Sequence, residues 1–239
     1  MSDPFGAAAF AVAVMTAAVA QSATGFGFAL IAAPALMLAA PGRSPFSLLA
    51  AGIVVTVTTL WANRSGFDWR VVAPIVAASV PGAILGTLVL VNADVAAVRI
   101  GIGLVVIAAC LISLFGLRVP QNRTTLLTAG VLAGGLNSIA SISGPPLAVA
   151  YRPERPDQLR GNTAAAFLIM GPISLVTTAI AVPPDLVDLQ LAAIMAGLAG
   201  IGLLVGWTWV RRLPIHVVSR AALALSAGAG VTLLVSAAI

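Results

Sequence analysis

The chain has 239 residues, of which 60% are hydrophobic and only 8% charged. Soluble domains carry about a quarter charged residues, so this composition excludes a water-soluble globule and calls for a surface covered by lipid. The net charge is +5 and every cation is an arginine. The arginines stand singly or in small groups between apolar runs, which excludes a basic nucleic-acid-binding face and makes them topology signals.

Apolar stretches of about 20 residues, the length of one bilayer-crossing helix, recur along the whole chain. A secretory signal would be one short N-terminal segment. The expected fold is therefore an all-α integral membrane protein. In chain order the predicted segments are 5–38, broken near Gly25, then 45–63, 70–91, 95–117, 124–150, broken near Gly144, then 161–182, 188–210 and 215–238. They are apolar nearly all round, as lipid-embedded helices are. Pro41-Gly42, Pro120 and Pro183-Pro184 punctuate the connections. Trp61, Trp69, Trp207 and Trp209 fall at predicted ends, where an amphipathic ring suits the headgroup layer. With simple crossings, eight arginines fall on the inner side and four on the outer, putting both termini outside. If each broken segment were a re-entrant hairpin, each half would cross an odd number of times and the halves would be inverted.

An internal repeat runs through these segments. At a separation of 119 residues, Thr24 meets Ser143, Gly25 meets Gly144, Pro34 meets Pro153, Gly42 meets Gly161 and Gly52 meets Gly171. With one residue of drift, Asp68 meets Asp188, Gly82 meets Gly202 and Gly86 meets Gly206. The expectation is about eight transmembrane helices in two four-segment repeats, residues 1–119 and 120–239, with the first helix of each repeat broken.

The two breaks carry the chemistry. The first holds Ser22, Thr24, Gly25 and Gly27; the second holds Asn137, Ser138, Ser141, Ser143 and Gly144, followed by Pro145-Pro146. Glycine removes the side chain and proline the backbone donor, so a continuous helix is costly at both places. Backbone groups freed within a membrane need partners in protein or water. Breaks are therefore tolerated where they line a cavity, into which a new helix start points its N–H groups and positive dipole end. Hydroxyls nearby add neutral donors, which suits an anion. Paired breaks in corresponding positions of two halves point to a transporter's substrate site; the competing reading is a kink for tight packing of small residues. Arg160 and Asn162 open the next helix and are candidates to orient an anion. Arg152 and Arg155 fit an inner loop as well as an anion clamp.

Other signals limit the function. Gly82/Gly86 and Gly202/Gly206 are small-x-x-x-small pairs suited to helix packing, within the chain or in a homodimer. The seven acidic residues all fall near predicted ends or in loops, so no buried carboxylate relay is written. No phosphate-binding Gly-rich Lys motif occurs. With a lone Cys110 and a lone His216 there is neither a disulfide nor a metal cluster. No catalytic set, metal or cofactor is expected, which argues against an enzyme. A channel or anion leak on the same scaffold is the alternative to a carrier.

Thr24-Gly25-Phe26-Gly27 followed by Pro34, and Ser141-Ile142-Ser143-Gly144-Pro145-Pro146 in the fifth segment, resemble the two breaks of TauE/SafE-type sulfite exporters, the TSUP family. The likeness covers essentially the whole chain. It implies a bacterial inner-membrane, multi-pass transporter of small sulfur-containing or related organic anions, with a proton or sodium gradient as the coupling source. Family members move substrates in either direction. The first break departs from the commoner run of successive glycines by carrying Phe26 and Phe28, which implies a reshaped pocket.

Overall fold

The computed structural model describes residues 4–25, 27–115, 119–151, 153–208, 224, 226–228 and 230–235. Phe26, Arg152, Trp209, Arg211, Arg212, His216 and Arg220 lie outside the described residues, as does most of the predicted segment 215–238. All regular structure among the described residues is helical: α1 Pro4–Thr24, α2 Phe28–Ala39, α3 Phe46–Ala62, a 3₁₀ turn Arg64–Gly66, α4 Trp69–Asn92, α5 Val95–Phe115, α6 Arg123–Ala140, α7 Gly144–Ala150, α8 Pro156–Ala181 and α9 Leu186–Thr208. Residues 226–228 and 230–235 are also helical. Five helices are long and apolar enough to cross a bilayer: α1, α4, α5, α8 and α9.

Helix starts follow local chemistry. The Asp68 carboxylate accepts from the Arg70 N–H at 2.9 Å, and the Asn122 side chain accepts from the Thr125 N–H at 2.8 Å, each satisfying a donor that a helix start leaves open. Asp185 and Asp188 cap one another's backbone N–H groups at the start of α9, in the manner of a capping box. Pro156 opens α8 five residues before the predicted segment, because proline's fixed φ suits a first helical position and Asp157 favours the positive dipole end. Ile84, Leu85, Leu88, Leu104, Leu111, Ile201 and Leu204 are exposed on α4, α5 and α9. Water would not tolerate so large an apolar surface on a monomer, whereas lipid tails match it.

Glycine contacts fix the helix directions. Gly82 and Gly86 of α4 press against the backbone of Val131 and Gly135 of α6, and Gly130 and Gly134 of α6 press against Ile75 and Ser79 of α4. Residue numbers rise together, so α4 and α6 run parallel. Gly202 and Gly206 of α9 meet Met15 and Val19 of α1 in the same way, so that pair is parallel too. In α3 and α8 the order reverses: Gly161 lies against Asn63, and Gly171 against Ile53. These two helices run antiparallel. Both small-x-x-x-small pairs are thus engaged inside the chain.

The ends then fall on two faces. On face I, Gly25 at the end of α1 abuts Arg160 and Thr163 near the start of α8, Asn162 accepts from the Asp68 N–H at 2.6 Å, and Asn162 donates to the Tyr151 hydroxyl at the end of α7 at 2.7 Å. On face II, Gly42 after α2 abuts Val95 at the start of α5, and Arg43 pairs with Asp185 before α9 at 2.6 Å. The chain therefore runs toward face I along α1 and back toward face II along α2. Likewise α6 runs toward face II and α7 returns toward face I. The first and fifth predicted segments each double back instead of crossing once, so the arginine count based on simple crossings does not apply.

Candidate functional site

Two helix–turn–helix units, α1–α2 and α6–α7, each put part of their turn in the wall of one cavity. Gly25 and Gly27 have φ of +88° and +131°, a region closed to most side chains. In the second unit Ser141 takes the left-handed conformation at φ 60°, the only positive φ outside glycine among the described residues. Between the turns lies a cavity of about 40 Å³, room for about three water-sized centres. Its wall is made by Gln21 of α1, Gly27 to Leu30 at the start of α2, Asn137 of α6, Ser141 to Gly144, and the middles of α3 and α8 through Gly52, Thr56, Phe167 and Gly171.

Of the residues expected at the site, Gly27, Asn137, Ser141, Ser143 and Gly144 line this cavity, whereas Ser22, Thr24, Gly25, Ser138, Arg160 and Asn162 are not in its wall. The reasons are local. The Ser22 and Thr24 hydroxyls each donate to their own helix, to the carbonyls of Val19 and Ala20 at 2.8 Å. Ser22 faces Gly206 of α9. Gly25 turns the chain with its carbonyl accepting from the Thr163 hydroxyl at 3.3 Å, and Arg160 packs behind it. The Asn162 amide is engaged on both sides, by Asp68 on its oxygen and by Tyr151 and the Gly66 carbonyl on its nitrogen. It clasps the start of α8 to the connections on face I. Ser138 is fully buried and its hydroxyl meets no acceptor among the described residues.

The cavity wall is neutral among the described residues. Its donors are of two kinds. The first turn of α2 offers backbone N–H groups at the positive end of a helix dipole. The second unit offers the Ser141 hydroxyl, since Pro145 and Pro146 carry no N–H in the first turn of α7 and the Ser143 hydroxyl is given to Asn137. Asn137 is buried, donates to the Ser174 hydroxyl at 2.9 Å and to the Met170 carbonyl at 3.4 Å, and accepts from the Ser143 hydroxyl at 3.3 Å. The ion pair on face II lies away from this wall. There the Asp188 N–H and the Arg43 guanidinium hold the Asp185 carboxyl below its ordinary range, and Asp185 raises Arg43.

Gln21 is the residue that the sequence reading passed over. Helix ends show why. Thr24 and Ala140 end the first helices and Phe28 and Gly144 begin the second ones, so the helix ends flanking the two turns lie 116 residues apart. At that spacing Gly25 falls opposite Ser141, Gly27 opposite Ser143, and Gln21-Ser22 opposite Asn137-Ser138. The matched pair of amides was visible in the sequence at that register.

Apolar helices long enough to cross a bilayer, packed by glycine around a small neutral cavity, are the architecture of an integral membrane protein. The family model for sulfite exporter TauE/SafE matches residues 9–233, and the chain belongs to that family, whose members are membrane transporters of sulfite and other anions. No curated protein and no solved structure matches the chain.

Proposed function

We propose that this chain is a secondary transporter of small sulfur-containing or related organic anions, sulfite and sulfonates first among them, and that the anion binds in the cavity between the two turns. The carrying observation is that cavity: neutral, lined by donors from both helix–turn–helix units, and set at mid-height between α3 and α8. A neutral wall of N–H and O–H groups stabilises an anion without a buried cation, whose desolvation in a membrane is costly. Its size suits the three-oxygen, pyramidal head of sulfite or of one sulfonate.

The architecture supporting this reading is two repeats, residues 1–119 and 120–239, each beginning with a broken helix. The largest helix pairings come in counterparts under exchange of halves: α4 with α6 and α9 with α1, α4 with α8 and α9 with α3, and α3 with α8 across the centre. Because α3 and α8 correspond and run antiparallel, the halves are inverted, the arrangement that lets one half rock against the other around a fixed site. A bacterial inner membrane and a proton or sodium gradient complete the proposal.

Counterflow in proteoliposomes tests it. Labelled sulfite outside should accumulate transiently in vesicles preloaded with unlabelled sulfite, and saturate with concentration. Linear flux without counterflow means a channel on the same scaffold. No flux of sulfite, sulfonates or small carboxylates overturns the anion assignment.

A further inference from the structure

We propose that Gln21 selects the substrate, its side-chain N–H₂ donating directly to an oxygen of the bound anion; this rests on the cavity being the transport site. Gln21 is 5% exposed and lines the cavity. Its Oε1 accepts from the Phe28 N–H at 3.1 Å, across the turn. A backbone N–H can only donate, so this bond assigns the oxygen and turns the amide nitrogen to the other side. That nitrogen has no acceptor among the described residues, and it is not among the polar atoms sealed inside protein, so it opens on the cavity.

The matching amide behaves differently. The Asn137 nitrogen is engaged by Ser174 and Met170, and its oxygen by Ser143. Of two amides at corresponding positions, one is a closed structural link and the other keeps two N–H donors free. A buried amide left unpaired costs about 1–3 kcal/mol, so an acceptor from the ligand or from water completes it. A donor-only contact discriminates by chemistry: an oxyanion supplies lone pairs, an ammonium cannot. Bonds to a charged partner are about twice as strong as neutral ones, so an anion gains most from this position.

Gln21→Glu separates the two ends of the side chain. The carboxylate still accepts from the Phe28 N–H, so the turn keeps its bond, while the free donor becomes an acceptor. Binding of methanesulfonate, whose charge is fixed, is measured by calorimetry on the detergent-purified full chain. At pH 8.5 the variant should bind about tenfold more weakly or worse, while still unfolding in one cooperative transition without ligand, at a lower temperature because the carboxylate is buried without a cation. Affinity should return as pH is lowered to 5, since burial without a cation favours the protonated carboxyl, which regains one donor. No other titratable side chain lines the cavity among the described residues to imitate that profile. Equal affinity and a flat pH profile in the folded variant overturn the role of Gln21 and leave the transport reading standing. If Gln21→Glu does not fold, Gln21→Asn withdraws the donor by one methylene, and unchanged affinity there overturns the role equally. Wild-type protein that binds neither methanesulfonate nor sulfite removes the transport reading and this assignment with it.

Discussion

At the residue scale, Ser141 does two things that can be pulled apart. Its φ of 60° is left-handed, a conformation costing an L-residue about 1–2 kcal/mol. Its side chain also lines the cavity, with the hydroxyl 3.8 Å from where a Cβ on Gly52 would stand. Ser141→Gly removes the strain and the hydroxyl together. The expected outcome is a folded protein whose melting temperature is equal or higher, with weaker anion binding in the same calorimetry. Unchanged binding would limit Ser141 to shaping the turn. This position also shows what the sequence made legible. Glycines and prolines announced that helices end near Gly25 and Gly144, because these residues act on the backbone locally. Which hydroxyls reach the cavity was not legible. Ser22 and Thr24 look like donors in the sequence, but a free helical hydroxyl reaches back to the carbonyl three or four residues earlier, and both do so here. Gln21 went unnoticed because its relation to Asn137 appears only in the register set by the helix ends.

At the element scale, glycine is what brings these helices together. Neither lipid nor an apolar neighbour drives helices to associate, so close backbone approach supplies the attraction. A Cβ on Gly82 would collide with the Val131 backbone, whereas one on Gly101 of α5 would meet nothing within 4 Å. Gly82→Ala should therefore destabilise by about 2 kcal/mol or more, by pushing α4 from α6. Gly101→Ala should leave stability equal or raise it by up to about 1 kcal/mol, since alanine is the better helix former. Thermal unfolding of the two variants in one detergent checks the contrast, and equal losses would mean that α4 and α6 are not held at this seam. The glycine spacing was plain in the sequence, but its partner was not: a small-x-x-x-small pair says that something comes close, not which helix. The doubling back of α1–α2 was equally hidden. A break of three residues permits a kink or a reversal alike, and only contacts at the far ends of α2, at Gly42 and Arg43, decide between them.

At the scale of the whole molecule, the reversals change which way the protein sits in its membrane. Arg64, Arg70, Arg123, Arg155 and Arg160 belong to face I, and Arg43 and Arg99 to face II. Short loops rich in arginine stay on the cytoplasmic side, so face I should be cytoplasmic. Among the described residues the arginines divide five to two, because the returning α2 and α7 move whole connections from one side to the other. Single cysteines test it. In a Cys110→Ala background, Asn92→Cys at the end of α4 reports on face II, and Ser65→Cys in the 3₁₀ turn reports on face I; both positions are exposed. A membrane-impermeant maleimide added to intact cells should label Asn92→Cys at once and Ser65→Cys only after permeabilisation. The reverse pattern would invert the orientation but keep the topology. Labelling of both from outside would break the topology itself, since α4 would then fail to cross, and the parallel packing of α4 on α6 could no longer fix the direction of the second half.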